Sequence, residues 1–269
     1  MNTNNNVYTV IYTTIIVVVV AALLAFVSQS LKAKQDANEK AETISQMLTA
    51  AQYGSKADMD KLSNTAKLEK YAQEVSEAFT INLNGEKVNE LPLDKVYSPS
   101  ELKRQNYNIK GGANKTADPE LPVFVFKNGT TVVPIYGAGL WGPIWGYIAF
   151  ENGMPVIKGA YFDHESETAG LGAKIKDDAS FQAAFIGEKA DFSNANVFDI
   201  VKGGAPKDAE GKSVIDNQID AITGATMTSQ GLDAAIDTWL SAYSKYFEGT
   251  QKSCCEGGKE HECNKCEEE

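Results

Sequence analysis

The feature that most constrains this chain is a stretch of roughly 21 residues, 7–27, in which every side chain is apolar or belongs to Thr or Tyr. At 1.5 Å per residue, a helix of this length spans about 30 Å, which is the thickness of the hydrocarbon core of a bilayer. A buried helix of a soluble protein would carry a polar stripe, and this stretch has none. A cleaved signal peptide is the alternative, but residues 1–6 lack the basic side chains that such a peptide carries. We therefore expect an N-terminal segment, 1–30, whose one uncleaved helix, 7–27, anchors the chain in the lipid bilayer.

The charges beside this helix give a weak indication of topology. Lys32 and Lys34 follow the apolar stretch, and no Lys or Arg precedes it. The positive-inside rule, taken alone, places the domain after the helix in the cytoplasm.

The composition of the chain is that of an ordinary folded domain. Its content is 43 % hydrophobic and 23 % charged, and about 200 residues after the helix suffice for one globular unit. The net charge of −11 excludes a nucleic-acid-binding protein, because phosphates require a basic surface. All four cysteines, Cys254, Cys255, Cys263 and Cys266, lie near the C-terminus, so no disulfide stabilises the body of the domain.

Hydrophobic periodicity predicts an α+β fold, with an antiparallel sheet and flanking helices. We expect residues 31–120 to form a helical linker and insertion. Helical patterns cover 28–52 and 62–79, and residues 81–120 are polar and irregular. Residues 121–250 read as the core, and 251–269 as an acidic tail. In the core, Asn128-Gly129 and Asn152-Gly153 are each flanked by apolar runs, which is typical of β-hairpins.

The other predicted elements of the core do not alternate regularly with its strands. They are a short helix over 177–185, a strand over 197–201 and an amphipathic helix over 228–247. No GxGxxG follows a strand, which disfavours a Rossmann nucleotide site.

The most informative stretch for chemistry runs from Asp220 to Ser229. Gly224 and Ala225 allow close approach of a ligand to the backbone, and four hydroxyls crowd into the seven residues from Thr223 onward. The predicted helix begins just afterwards, and a helix N-terminus attracts phosphate. The simpler interpretation is that a threonine only caps this helix.

Two further stretches are rich in glycine. Residues 164–172 contain Gly170 and Gly172 around a leucine, which predicts either a tight loop against a flat ring or an ordinary turn. Residues 136–147 place glycines beside Trp141 and Trp145, which predicts either a ligand covered by aromatic rings or a bulged strand.

These three stretches, in this order behind a single membrane helix, resemble the FMN-binding domain family, in particular its members in sodium-translocating NADH:quinone oxidoreductases. The family pattern Asp-x-x-Ser/Thr-Gly-Ala-Thr is filled here by Asp220, Thr223, Gly224, Ala225 and Thr226. The resemblance implies that FMN is attached as a phosphoester to the last of these, Thr226.

The rest of the resemblance lies in the two glycine-rich stretches and one short segment. The family's Glu-Thr-x-Gly-Leu-Gly loop is matched by Glu167, Thr168, Gly170, Leu171 and Gly172. Ala169 stands where proline is usual, and this leaves the expected role of the loop unchanged. Trp141 in the Gly-Leu-Trp run and Lys202 in a Lys-Gly-Gly-Ala segment also match.

The resemblance implies an electron carrier with no general base, within a multisubunit membrane redox complex coupled to sodium export. A separate flavin transferase would attach FMN from FAD and release AMP, and the isoalloxazine would lie between the 167–172 loop and Trp141. The family's flavin domain faces away from the bacterial cytoplasm, so we expect the outer side of the inner membrane despite the two lysines. The other possibilities are the equivalent FMN protein of the related ferredoxin:NAD complex, typically a shorter chain, and a membrane-anchored module without redox function.

The cysteines of the tail depart from the family pattern. Cys254-Cys255 and Cys263-x-x-Cys266 have a spacing that suits tetrahedral zinc. A disordered acidic tail is the favoured interpretation, and a disulfide outside the cytoplasm is a further one.

Overall fold

A computed structural model of the chain describes residues 6–151, 154–194, 196–208, 211 and 213–256. The helices are α1 (Asn6–Ala50), α2 (Lys56–Asp60), α3 (Asn64–Glu74), α4 (Pro99–Lys110), α5 (Lys174–Asp177), α6 (Ala179–Ala183) and α7 (Thr226–Glu256). The strands are β1 (Val75–Ile81), β2 (Lys87–Glu90), β3 (Leu121–Phe126), β4 (Thr131–Ala138), β5 (Pro143–Phe150), β6 (Ile157–His164), β7 (Asp199–Val201) and β8 (Gln218–Asp220).

Helix α1 joins an exposed apolar first part to last turns that pack in the domain. Its first part is exposed and apolar, and among the described residues it is the one helix long and apolar enough to cross a membrane. Its last turns are buried, with Ile44, Met47 and Leu48 in the core. The helices expected over 7–27 and 28–52 are therefore a single helix, because no Gly or Pro interrupts residues 7–50.

Six strands form an antiparallel sheet in the order β2-β1-β3-β4-β5-β6. Gly137 of β4 faces Ala235 of α7, whereas Trp145 of β5 donates a hydrogen bond to Gln46 of α1. Gly137 pairs with Ile144, the neighbour of Trp145, so these contacts lie on opposite faces of the pleat. The sheet is thus sandwiched between α7 and the end of α1, which agrees with the expected α+β class.

The region expected as a linker and insertion contributes to the same sheet. Strands β1 and β2 precede residue 121, the expected start of the core, yet β1 pairs with β3. The expectation of irregular structure over 81–120 is wrong, since it contains β2 and α4. Helix α4 begins with a capping box in which Ser98 and Glu101 bond each other's backbone N–H, followed by Pro99 at the first helical position.

The helix expected over 62–79 ends earlier, at Glu74, and the chain continues as β1. Its last apolar residues, Val75 and Phe79, pack in the core from a strand instead. The short helix expected over 177–185 is two short helices, α5 and α6. Asn128-Gly129 joins β3 to β4 as expected, and Asn152-Gly153 lies outside the described residues.

Candidate functional site

The site is built around the start of α7. Strands β7 and β8 pair in parallel, with Val201 opposite Asp220. The two segments that follow them, 202–205 and 221–225, therefore begin side by side at the same end of this two-stranded sheet. Gly224 has a φ of +83°, a conformation that favours glycine. The turn is held by the buried hydroxyl of Ser229, which accepts the N–H of Ile222 at 3.1 Å. The Gly224-Ala225 turn therefore delivers Thr226 to the first position of α7.

The hydroxyl of Thr226 is not used by the fold. Because α7 begins at Thr226, the capping position belongs to the preceding residue, and the capping interpretation of Thr226 loses its geometric basis. Thr226 is half-buried, and within the described part of the chain its hydroxyl takes part in no hydrogen bond. Thr226 belongs to the first turn of α7, whose backbone N–H groups lack intrahelical acceptors.

The carboxylate of Glu167 lies where the three glycine- and threonine-rich stretches meet. This residue is only 8 % exposed. One carboxylate oxygen, Oε1, accepts the backbone N–H of Trp141 at 2.9 Å, and the other, Oε2, accepts the hydroxyl of Thr228 at 2.6 Å. The structure thus brings the three stretches together through the side chain of Glu167, and not through a contact with Thr226.

Two glycines make room for this carboxylate. A Cβ on Gly139 or Gly172 would lie below 3.0 Å from an oxygen of Glu167, and one on Gly172 would lie 2.5 Å from the Thr228 hydroxyl. The glycine of the Gly-Leu-Trp run and the second glycine of the Gly-Leu-Gly run are therefore explained by packing on Glu167. Sequence reasoning missed this role, and it also missed the part played by Thr228.

Large apolar side chains are exposed around this carboxylate. They belong to the ends of the same three stretches: Leu140, Trp141, Leu171 and Met227. Trp141 is 67 % exposed and Met227, next to Thr226, is 58 % exposed. Leu171 lies over the turn, with Cδ2 3.2 Å from where a Cβ on Gly224 would be. A flat aromatic ligand held on Thr226 would find apolar side chains beside it, as FMN requires.

The remaining residues of the 167–172 loop lie on the surface. Thr168 and Gly170 are exposed. The carbonyl of Thr168 accepts the N–H groups of Leu171 and Ala173, which closes the loop before α5. Contact of this loop with the isoalloxazine stays a prediction.

Asp220 and Lys202 lie at the ends of the two paired strands, Asp220 as the last residue of β8 and Lys202 just after β7. The carboxylate of Asp220 accepts the N–H of Ala205 at 2.8 Å and pairs with the ammonium of Lys207 at 2.5 Å. The hydrogen bond from Lys207 keeps the pKa of the Asp220 carboxyl below its usual value. Lys202 and Thr223 are exposed on the adjacent segments, and their contact with FMN stays a prediction.

One acidic group was not anticipated from the sequence. Carboxylate oxygens of Asp199, Asp233 and Asp237 lie within 4.8 Å of one another. Burial raises the pKa of Asp233 to about 6. All three accept hydrogen bonds within the fold: Asp233 from the N–H of Ile200, Asp237 from the N–H groups of residues 197 and 198, and Asp199 from the side-chain amides of residues 196 and 218. Cys263 and Cys266 lie outside the described residues, as do the side chains of Cys254 and Cys255, so the tail stays a prediction.

Comparison with known proteins agrees with this geometry. Residues 139–241 match the FMN-binding domain family, a range that holds two of the three stretches in full and the third from Gly139 onward. The chain is 32 % identical over 123 residues to the NqrC component of the Na(+)-translocating NADH-quinone reductase from Vibrio vulnificus, covering 44 % of this chain and 46 % of that one. The chain therefore spans less than half the length of such curated relatives.

Solved structures extend the likeness to most of the fold. The structure of the same reductase component from Parabacteroides distasonis has a TM-score of 0.61 and 29 % identity, covering 81 % of this chain and 96 % of that one. NqrC from Shewanella oneidensis has the same TM-score at 24 % identity, over 81 % of this chain and all of its own, and supports the fold. The residues joined at Glu167 thus lie in the part of the chain, residues 139–241, that is similar to the FMN-binding domain family, and the fold is that of the solved reductase component.

Proposed function

We propose that this chain is the FMN-carrying electron-relay component of a sodium-translocating NADH:quinone reductase, with FMN bound covalently to Thr226. The observation that supports this most is the unused Thr226 hydroxyl at the start of α7. It lies beside first-turn N–H groups that suit a phosphate and next to the exposed apolar side chains of Trp141, Leu171 and Met227. When bound, FMN supplies the electron chemistry, and the protein supplies position and electrostatics.

Attachment would proceed by transfer from FAD. The Thr226 hydroxyl oxygen forms a bond to the FMN phosphorus, the pyrophosphate bond of FAD breaks, AMP leaves, and the hydroxyl proton is released. A separate flavin transferase would catalyse this step, because the chain shows no nucleotide-cleaving motif of its own. The acceptor must then be reachable by another protein, and the exposed residues at 223, 224 and 227 around Thr226 meet that requirement.

The test is the substitution Thr226→Ala in the full-length chain, co-expressed with a flavin transferase. Wild type should carry the mass of FMN less one water and fluoresce on a denaturing gel, and the variant should lack both. Its melting temperature in the apo form should be nearly unchanged, because the hydroxyl forms no hydrogen bond in the described structure. Thr223→Ala is the control and should keep the mass increment. An increment that survives Thr226→Ala would exclude this residue as the attachment site, and a wild-type chain without flavin would favour the non-redox module.

We further propose that α1 crosses the bacterial inner membrane, with the flavin domain on its outer side among partner subunits. The exposed apolar half of α1 supports the anchor. A membrane-impermeant maleimide should label the tail cysteines, including Cys254 and Cys263, in intact spheroplasts. Labelling only after lysis would place the domain in the cytoplasm. Co-purification with quinone-reductase subunits, and not with ferredoxin-dependent ones, would separate the two related complexes.

A further inference from the structure

From the contacts at the start of α7 we infer that Glu167 and Thr228 form a positioning pair that orients Thr226 for flavin attachment, without contact to the flavin. This inference rests on the proposed attachment at Thr226 and assigns to Glu167 a role different from cofactor contact. It is carried by the hydrogen bond from the Thr228 hydroxyl to Glu167 Oε2 at 2.6 Å and by the burial of both side chains.

The geometry of a helix links Thr228 to Thr226. Successive residues turn by about 100° around a helix axis, so side chains two positions apart point to nearly opposite sides. Thr228 is 1 % exposed and points inward to Glu167, whereas Thr226 is half-buried and Met227 is exposed. Fixing the Thr228 hydroxyl therefore fixes the rotation of the first turn, and this presents the Thr226 hydroxyl to an incoming enzyme.

Glu167 can perform this role because it is itself held in place. Its backbone N–H donates to Nδ1 of His164 at 3.1 Å, and its second oxygen is occupied by the Trp141 N–H. Positions 139 and 172, where a Cβ would clash with its carboxylate, are glycines. Because these neighbours fix the carboxylate of Glu167, its hydrogen bond with Thr228 also fixes the first turn of α7.

The role predicts how substitutions of Glu167 should differ. Glutamine keeps the length, and its amide can accept from Trp141 and donate to the Thr228 oxygen. Aspartate is shorter by one methylene and cannot reach both partners. A misplacement of about 1 Å in a reacting group can cost on the order of 100-fold in rate, so a loosened first turn should slow transfer to Thr226 strongly.

The experiment measures flavin attachment to the purified full-length apo chain in detergent, with FAD and a flavin transferase, below the melting temperature of every variant. Glu167→Asp, Glu167→Ala and Thr228→Val should lower kcat at least about tenfold, with KM for the chain within about threefold of wild type. Glu167→Gln and Thr228→Ser should lie within about threefold of wild type in kcat. Glu165→Gln, an exposed charge change two residues away, is the matched control and should have no effect.

Two outcomes would overturn the positioning role. The first is attachment at the control rate in folded Glu167→Ala and Thr228→Val, even with lowered melting temperatures, because that pattern indicates stability alone. The second is additive loss in the double variant Glu167→Ala/Thr228→Val, since residues that act through one another should lose no more together than singly. A wild-type chain that accepts no flavin would instead overturn the proposed function, so the two failures are distinguishable.

Discussion

Two carboxylates of the candidate site, those of Glu167 and Asp220, form hydrogen bonds in different surroundings. Glu167 is buried, bonds a backbone N–H and a hydroxyl, and lies among close-packed glycines. The side chain of Asp220 is 42 % exposed and pairs with an ammonium and a backbone N–H. The family pattern contains both acids, yet the structure places the Glu167 carboxylate in a packed interior and the Asp220 carboxylate where solvent and salt reach it.

The largest expected effect is at the buried carboxylate. Glu167→Ala removes the acceptor of the Trp141 N–H and of the buried Thr228 hydroxyl, and an unsatisfied buried donor costs about 1–3 kcal/mol. We expect a loss of about 3 kcal/mol in the free energy of unfolding, measured on the apo chain by denaturant titration in detergent. A loss of unfolding free energy no larger than that of Asp220→Asn would mean that the two carboxylates do not differ in their contribution to stability.

A slightly smaller effect is expected from filling the space beside Glu167. Gly172→Ala places a methyl group against the carboxylate and the Thr228 hydroxyl, and overpacking of this kind costs about 1–3 kcal/mol. Gly187→Ala would not be a suitable control, because Gly187 has a positive φ and alanine would strain the backbone there. Gly249→Ala, which meets nothing within 4 Å on α7, is the control and should not destabilise the chain. Equal stabilities of wild type and Gly172→Ala would show that the loop can move away from Glu167.

A third carboxylate, that of Asp233, joins α7 to β7, and its ionisation should change the free energy of unfolding. Asp233 accepts the N–H of Ile200, and burial raises its pKa from 3.8 to about 6, with Asp237 and Asp199 adding to the rise. A raised carboxyl pKa means that the folded state binds the proton more tightly, so this contribution to stability is present at low pH and is lost between about pH 4 and pH 6.

Asp233→Asn removes this titration while keeping an acceptor for Ile200. The stability of the variant relative to wild type should therefore rise by about 1 kcal/mol from pH 4 to pH 6.5, once solvent screening of a half-buried group is allowed for. Paired thermal unfolding curves measure this difference. A relative stability that is constant over this range would contradict the burial of a titrating Asp233.

The smallest effect is expected at the exposed pair. Asp220→Asn keeps an acceptor for the Ala205 N–H and removes only the attraction to Lys207, and exposed ion pairs contribute less than about 1 kcal/mol. The loss should shrink further as salt is raised, because screening weakens exposed pairs most. In wild type the lowered pKa of Asp220 means that its contribution is present above the unfolded pKa and is lost as the pH falls through the folded pKa. A salt-independent loss would mean that Asp220 acts through packing.

Patterns in the sequence predicted those helices and turns whose structure is set by residues close together in the chain. The apolar run before Ser28, the turn at Asn128-Gly129 and the long amphipathic helix α7 were all evident, because each has a periodicity or a turn chemistry of its own. Strand β8 was missed, since it has three residues and only Ile219 is apolar. The strand character of residues 75–81 was also missed, because Val75 and Phe79 continue a helical spacing that begins in α3.

The sequence by itself determined the long apolar segment near the N-terminus, the sheet-and-helix class and the motifs that resemble the FMN-binding domain family, since these are patterns within short windows. Only the tertiary structure decided which residues of those motifs contact one another. Glu167 meets Trp141 across 26 residues and Thr228 across 61, and no local pattern encodes such a pairing. It arises because the pleat of the sheet and the start of α7 bring three distant segments around one carboxylate, whose hydrogen bonds must be satisfied once it is buried.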